Sequence, residues 1–212
     1  MLSAALELAA TKPWAEVALS DIAEKAGASL FELRKEFTSK ALIIAELMRA
    51  ADEEVLRKAP KRSEGQAKRD LLFDVIMTRF DVLAPYKAAL KSIHASSVAD
   101  PSLAAPYLSS QHWMLEAAGI ATDGVMGAAR IAGLAVTYAT VFGVWLGDED
   151  PGAARTMATL DRRLRRGERA AAAAEELTLT LNRFATEGPR ALRSLLFGRR
   201  KAHGADREGG AV

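Results

Sequence analysis

The 212-residue chain contains no cysteine, which excludes a disulfide scaffold, a thiolate zinc site and a cysteine nucleophile. Glycine and proline are also scarce, at 15 and 7 residues, and no segment shows the alternation of a half-buried strand. Neither charge sign dominates, because 29 basic side chains balance 27 acidic ones. The sequence also lacks a P-loop, a GxSxG elbow and an HExxH helix. We therefore expect no enzymatic activity and no cofactor.

Half of the residues are apolar, and alanine, leucine, glutamate, lysine and arginine recur throughout, which favours helices. The composition predicts an all-α fold. The first ten residues contain no basic stretch ahead of an apolar run and no signal-peptidase motif, so we expect a cytoplasmic location. The histidines at positions 94, 112 and 203 are too scattered to predict a metal site.

Apolar residues at helical spacing, together with capping and breaking residues, predict ten helices. They cover roughly residues 2–11, 21–26, 30–37, 40–58, 71–84, 86–97, 102–118, 123–146, 151–166 and 170–197. Ser20 and Asp21 are expected to cap the second helix. Ser29 and Glu32 have the spacing of a capping box at the start of the third. Pro151 suits the first turn of the ninth helix.

The eighth predicted helix is apolar on all sides, with Arg130 as its only charge between residues 125 and 146. Its length would allow it to cross a membrane. Its threonines, tyrosine and glycines favour instead the centre of a helical domain or an interface between subunits. Because this helix is too apolar to face water, we predict a homodimer.

The first fifty residues resemble the DNA-binding domain of the TetR family of transcriptional regulators. The matching residues are AALELAA at 4–10, Trp14, Val17, DIAEKAG at 21–27, Ala28-Ser29, Leu33, Phe37 and Ser39-Lys40. The resemblance implies a helix-turn-helix, in which a second helix supports a third that enters the major groove of operator DNA.

In this pattern the third helix contacts DNA, and the sequence offers four residues for the contact: Ser29, Arg34, Lys35 and Lys40. Arg34 and Glu36 occupy positions where the family usually has tyrosine and histidine, and no basic arm precedes Leu2. Residues 1–50 hold six basic and seven acidic side chains, although phosphate contacts normally require excess positive charge. A helix-turn-helix that serves only as a scaffold is therefore the alternative to DNA binding.

The second half of the sequence is similar, more loosely, to TetR-fold lipid-binding accessory proteins of ubiquinone biosynthesis. The matching residues are Arg79-Phe80-Asp81, Pro85-Tyr86, 113–120, Gly133-Leu134, Tyr138, Trp145-Leu146, 156–158 and 160–162. This resemblance implies a hydrophobic or isoprenoid ligand, and a lipid-binding accessory factor is the alternative to a regulator.

Aromatic and methionine side chains in the middle of the chain suit an apolar ligand pocket, although for each of them core packing is the alternative. The candidates are Phe73, Met77, Phe80, Tyr86, Tyr107, Trp113, Met114, Met126, Tyr138 and Phe142. Five arginines at positions 162, 163, 165, 166 and 169 form the densest basic cluster. The cluster predicts either contact with an anionic membrane surface or a solvated helix end.

Together these observations predict a TetR-like all-α chain in three parts. Residues 1–47 form the helix-turn-helix, a long fourth helix leads into a ligand-binding and dimerisation domain at 48–198, and residues 199–212 form a disordered basic tail. The expected partners are a second copy of the chain, operator DNA and a hydrophobic small molecule or lipid.

Overall fold

A computed structural model describes residues 1–60, 63–97, 100–173 and 176, and these residues form helices, turns and connecting segments without a strand. The all-α prediction is confirmed. The chain divides into two compact units, Met1–Gly167 and Glu168–Val212. In the second unit, residues 168–173 are helical.

Eight helices of the first unit have boundaries close to the predicted ones. They are α1 (Leu2–Thr11), α2 (Leu19–Lys25), α3 (Leu30–Glu36), α4 (Lys40–Lys58), α5 (Lys68–Leu83), α6 (Lys87–Ser97), α7 (Ala104–Ala117) and α8 (Gly124–Leu146). Short 3-10 turns at Trp14–Glu16, Ala84–Tyr86 and Pro101–Leu103 precede α2, α6 and α7.

Two of the helix starts that differ from the prediction have a local cause. The second helix begins at Leu19, because Asp21 does not cap it from outside but accepts the backbone N–H of Ala18 from within the first turn. The helix predicted to begin at Pro151 instead begins at residue 154. There the Asp150 carboxylate accepts the N–H groups of Gly152 and Ala154 and so satisfies backbone donors at the helix start.

The helix that begins at residue 154 runs to residue 173 and is not ended by Gly167. A glycine inside a helix costs only about 1 kcal/mol relative to alanine, which its neighbours can offset. Most of the helix predicted at 170–197 lies outside the described residues, as do the predicted tail at 199–212 and the histidine at position 203.

The head, which we define as α1 to α3 with the start of α4, is closed by buried apolar residues from each helix. Ala5 and Ala9 of α1, Ile22 of α2, Leu33 of α3 and Ile43 of α4 are buried. Burial of these side chains fixes which face of α3 remains exposed.

The head also packs on α6 of the same unit, through α1 and the turn that follows it. The backbone N–H of Trp14 donates to the Ser92 hydroxyl at 2.7 Å, and that hydroxyl donates to the Lys12 carbonyl at 3.2 Å. Ser92 therefore joins α6 to the connection between α1 and α2.

Helix α8 is the one described helix with the length and composition of a membrane span, but one of its faces belongs to the protein core. Tyr138, Val141 and Trp145 are buried, and the rings of Tyr138 and Trp145 both stack on Phe80 of α5. The opposite face is exposed, with Val125 at 87% and Val136 at 67% exposure. Helix α8 therefore has two apolar faces. One packs in the core, and the other is exposed to solvent within a single subunit.

Candidate functional site

The turn between α2 and α3 has the geometry that the sequence predicts for a helix-turn-helix. Gly27 adopts φ +66°, a left-handed conformation that glycine reaches at little cost. Ser29 then caps α3, because its hydroxyl accepts the Glu32 N–H while the Glu32 carboxylate accepts the Ser29 N–H at 2.8 Å. The predicted capping box is present, and it sets the direction in which α3 leaves the turn.

The outer face of α3 is centred on Phe31 and Lys35, which lie about 200° around the helix from the buried Leu33. Phe31 is 69% exposed, and the Lys35 ammonium lies 4.4 Å from its ring centroid. Phe31 is not among the residues that the sequence analysis predicts to contact DNA. Its spacing of two residues from the buried Leu33 is the sequence signal that places it on this face.

The cations among residues 1–50 divide into those that pair with an acidic side chain and those that do not. Lys12 pairs with Asp21, Lys25 with Glu7 and Arg49 with Glu46. Arg34 and Lys35, by contrast, are exposed and form no ion pair within residues 1–50. Two adjacent cations on the outer face of α3 are thus free to meet an external anion.

The other two residues predicted to contact DNA have partners within the protein. Lys40, at the start of α4, donates its ammonium to the Trp14 carbonyl and lies over the Trp14 ring. Burial, and then the charge of Lys12, lower the pKa of Lys40. Ser29 is exposed at the entrance of α3, but its hydroxyl is occupied by the capping box.

The acidic side chains on α3 also differ from each other. The Glu32 carboxylate is held at the helix N-terminus by the amide and then the hydroxyl of Ser29, which lower its pKa. It is therefore turned away from the centre of the exposed face. Glu36 is exposed near the end of α3 and is the carboxylate that an approaching polyanion would meet.

A cavity of about 450 Å³ lies below the head, between α4, α5, α6, α7 and α8. Tyr107, Tyr138 and Phe142 line it, and these three are among the predicted ligand residues. Ile44, Leu47 and Met48 of α4 and Leu90 and Ile93 of α6 complete much of its apolar wall. Both helices that support the head therefore also form the cavity.

The other seven predicted ligand residues do not line this cavity. Phe80 and Met114 are buried in the core, whereas Tyr86 and Trp113 are 41% and 46% exposed. Phe73 lines a separate cleft of about 410 Å³ beside residues 157–164. Met77 and Met126 are partly buried elsewhere. Apolar side chains at helical spacing show the same sequence pattern whether they line the cavity, pack in the core or lie on another surface. The pattern alone therefore could not separate these positions.

Two polar residues of the cavity wall, Arg79 and Tyr138, belong to a buried network that the sequence did not reveal. Arg79 of α5 pairs with Asp52 of α4 and donates from Nε to the Tyr138 hydroxyl at 3.1 Å. Ser110 of α7 donates to the second Asp52 oxygen at 2.7 Å. The network joins four helices around one guanidinium group.

Burial lowers the pKa of Arg79, but its interactions with Tyr138 and Asp52 outweigh burial, and the net direction is upward. The guanidinium therefore stays charged. Burial raises the pKa of Tyr138 despite the opposing effect of Arg79, so the phenol keeps its proton at neutral pH. The wall thus offers an arginine whose charge is neutralised by Asp52 behind it, and a protonated hydroxyl.

The arginine cluster begins on the helical stretch that starts at residue 154. Arg165 pairs with Asp161 at 2.9 Å, and Arg162 and Arg166 are exposed. Contact of this cluster with an anionic membrane surface stays a prediction.

Solved structures that share this architecture include two TetR transcriptional regulators. A TetR transcriptional regulator from Nitrosomonas europaea is 25% identical, with a TM-score of 0.61, and the alignment covers 78% of this chain and 94% of that one. A TetR transcriptional regulator from Rhodococcus sp. RHA1 is 21% identical, with a TM-score of 0.60 and coverages of 77% and 91%. No protein-family model and no curated protein sequence matches the chain.

The chain is an all-α protein with a helix-turn-helix head and a cavity-containing helical body. Its fold is that of the TetR-family transcriptional regulators, which confirms the resemblance seen in the first fifty residues. The resemblance of the second half to accessory proteins of ubiquinone biosynthesis stays a prediction.

Proposed function

We propose that this protein is a cytoplasmic, non-enzymatic transcriptional regulator that binds operator DNA as a homodimer and responds to a hydrophobic molecule in its cavity. The observation that carries the proposal is the exposed outer face of α3. It presents Arg34 and Lys35 beyond a correctly formed turn, in a fold shared with TetR regulators. A helix exposed in this way fits the major groove.

The residues of α3 suggest how such a helix would read DNA. Arg34 and Lys35 supply contacts to phosphates or to guanine, whereas Leu30 and Phe31, at 54% and 69% exposure, suit thymine methyl groups. Ser29 lies at the entrance of the helix, and Lys40 supports the head through the Trp14 carbonyl. The proposal therefore assigns direct DNA contact first to Arg34 and Lys35.

The uncovered face of α8 supports the homodimer. Val125, Ala132 and Val136 form part of an exposed apolar strip along a helix of 23 residues, and a second copy would bury that strip around a twofold axis. Two heads would then have to reach successive major grooves, about 34 Å apart.

Ligand control follows from the helices that the cavity and the head share. Ile44 and Leu47 belong to α4, which continues from the head, and Ile93 belongs to α6, on which α1 packs. A ligand that favours one arrangement of α4 and α6 would change the separation of the two heads. The change in DNA affinity is limited by the difference between the ligand's affinities for the two arrangements.

An electrophoretic mobility shift with DNA from upstream of the gene tests the proposal. We expect a retarded band that weakens as salt rises, because bound phosphates release counterions. Replacing both Arg34 and Lys35 by alanine should abolish the band. A band equally strong in this variant would contradict the assignment of α3.

The chain supplies a matched control for that variant. Arg57 and Lys58 are also an adjacent Arg-Lys pair, but they lie at the other end of α4 and pair with Glu54. Replacing both by alanine removes the same charge and should leave the band intact. Equal loss in both variants would indicate nonspecific attraction.

A lipid-binding accessory factor with no DNA target is the second candidate. It is favoured by the small number of available cations in the head, since Lys12, Lys25 and Lys40 all have partners within the protein. This candidate predicts no retarded band at low salt, together with a hydrophobic molecule that copurifies and is detected by native mass spectrometry.

A further inference from the structure

The wall of the cavity contains one acceptor that the protein leaves without a donor. Gln111 of α7 has 0% exposure and lines the cavity. Its Nε2 donates to the Tyr107 carbonyl at 3.1 Å, and no donor among the described residues reaches its Oε1. Buried side-chain oxygens nearly always have a partner, so this atom marks a place where something else donates.

The identity of the unpartnered atom follows from its neighbour. A carbonyl oxygen can only accept, so the Gln111 atom beside the Tyr107 carbonyl must be the NH₂ group. The opposite assignment would put two oxygens in contact. The cavity therefore presents an acceptor, and an occupant must bring a donor to satisfy it.

Tyr138 provides the complementary group in the same wall. Its hydroxyl accepts from Arg79 Nε, and its own proton has no acceptor among the described residues. A tyrosine hydroxyl both donates and accepts. The occupant can therefore receive one hydrogen bond from Tyr138 while it gives one to Gln111.

The charges around the cavity favour a neutral occupant. Arg79 is neutralised by Asp52, and both side chains are nearly inaccessible, at 4% and 12% exposure. Asp100, at the edge of the wall, accepts the N–H and hydroxyl of Ser102. An added carboxylate would compete with Asp52, and an added ammonium would lie near the charged Arg79.

We propose that the ligand of this cavity is a neutral, largely apolar molecule with a hydroxyl group that donates to Gln111 Oε1 and accepts from the Tyr138 hydroxyl. The proposal rests on the ligand-responsive function given above and narrows the ligand to alcohols and phenols. The remainder of the molecule contacts the apolar side chains of α4, α6 and α8.

Four probes with the same ten-carbon chain test the proposal by isothermal titration calorimetry: 1-decanol, decyl methyl ether, decanoate and decylamine. We expect 1-decanol to bind at least about tenfold more tightly than the ether, which accepts but cannot donate, because an unpartnered buried acceptor penalises binding. The two ionic probes should bind more weakly than the alcohol.

Two variants test whether Gln111 and Tyr138 cause the preference for the alcohol over the ether. In Gln111→Leu the ratio of alcohol to ether affinity should fall to near one. In Tyr138→Phe both probes should weaken together, because both lose a donor to their oxygen. Thermal unfolding of each variant verifies that it is folded. If either folded variant departs from its expected result, the proposal is contradicted.

Several outcomes would overturn the proposal. They are an alcohol-to-ether ratio near one in the wild type, tightest binding of decanoate, or no binding of any probe. An ordered water that satisfies Gln111 would give the first of these. The mobility shift without ligand is measured on the same preparation, so loss of DNA binding with retained alcohol selectivity would contradict only the regulator function.

Discussion

Gly127 is a residue at which the fold tolerates no side chain. A Cβ at this position would overlap the backbone carbonyl of Thr122, which cannot rotate away as a flexible side chain can. Gly127→Ala should therefore lower the free energy of unfolding by about 1–3 kcal/mol. Chemical denaturation measures the difference.

Gly167 is the matched control, because it lies within the helical residues 154–173 and has open space around it. Gly167→Ala should stabilise by up to about 1 kcal/mol through helix propensity. If both substitutions changed the stability equally, the close contact at Thr122 would not be the cause.

The Ser29–Glu32 capping box makes stability depend on pH. Hydrogen bonds from Ser29 lower the pKa of Glu32 from its ordinary value of 4.5. A group whose pKa is lowered by folding contributes stability above its unfolded-state pKa and loses it as the pH falls through the folded-state value. The stability difference between the wild type and Glu32→Ala should therefore be constant near neutral pH and shrink below about pH 4.5.

Urea denaturation of both proteins across this pH range measures that difference. Glu36→Ala is the control, since Glu36 lies on the same helix without such hydrogen bonds. A difference for Glu32→Ala that does not change with pH would show that the carboxylate charge does not act in the cap.

At the scale of helices, Arg79 joins α5 to α4 and α8. Arg79→Met leaves the Asp52 carboxylate nearly buried with Ser110 as its remaining partner, and removing one member of a buried pair costs about 3–5 kcal/mol. The double variant Arg79→Met, Asp52→Leu removes both charges and should recover most of that loss. A double-mutant cycle of unfolding free energies measures the coupling.

The double-mutant cycle can also show that Arg79 and Asp52 are not coupled. If the double variant were as unstable as the sum of the single ones, Arg79 and Asp52 would act independently. The loss of unfolding free energy would then come from the gaps that the substitutions leave between α4, α5 and α8. Packing at these positions would matter more than the charges.

Helix positions were largely predictable from the sequence because their signals are local. Gly27 ends α2, Ser29 and Glu32 start α3, and Pro85 follows α5 closely, each acting within a few residues. The start of α2 was less predictable, since Asp21 accepts a backbone N–H from within the first turn as readily as it caps from outside.

The cavity was less predictable because its wall depends on how separate helices meet. Phe80 and Phe142 carry the same apolar signal, yet Phe80 is in the core and Phe142 lines the cavity. Gln111 and Arg79 carry no apolar signal at all. Their burial arises from contacts with α4 and α8, which are distant in the sequence.

At the scale of the whole molecule, the exposed strip of α8 should decide whether two copies associate. Val136→Glu places a charge in the middle of this strip and should convert the proposed dimer to a monomer, because an unpaired carboxylate cannot be buried cheaply. Light scattering at micromolar concentration measures the mass. Ala88→Glu, at an exposed position of α6, should leave the dimer intact.

Two results would contradict the proposed dimer. A monomeric wild type at these concentrations would remove it altogether. A Val136→Glu variant that remains dimeric would show that the subunits associate through another surface.

The hydrogen bond between Trp14 and Ser92 joins residues 78 positions apart in the chain. Closing a loop of that length costs entropy before the contact forms, and synthesis from the N-terminus makes α1 long before its partner α6 exists. The head therefore reaches its final packing only after α6 has left the ribosome. Until then, the inner face of α1 is an apolar surface for chaperones to cover.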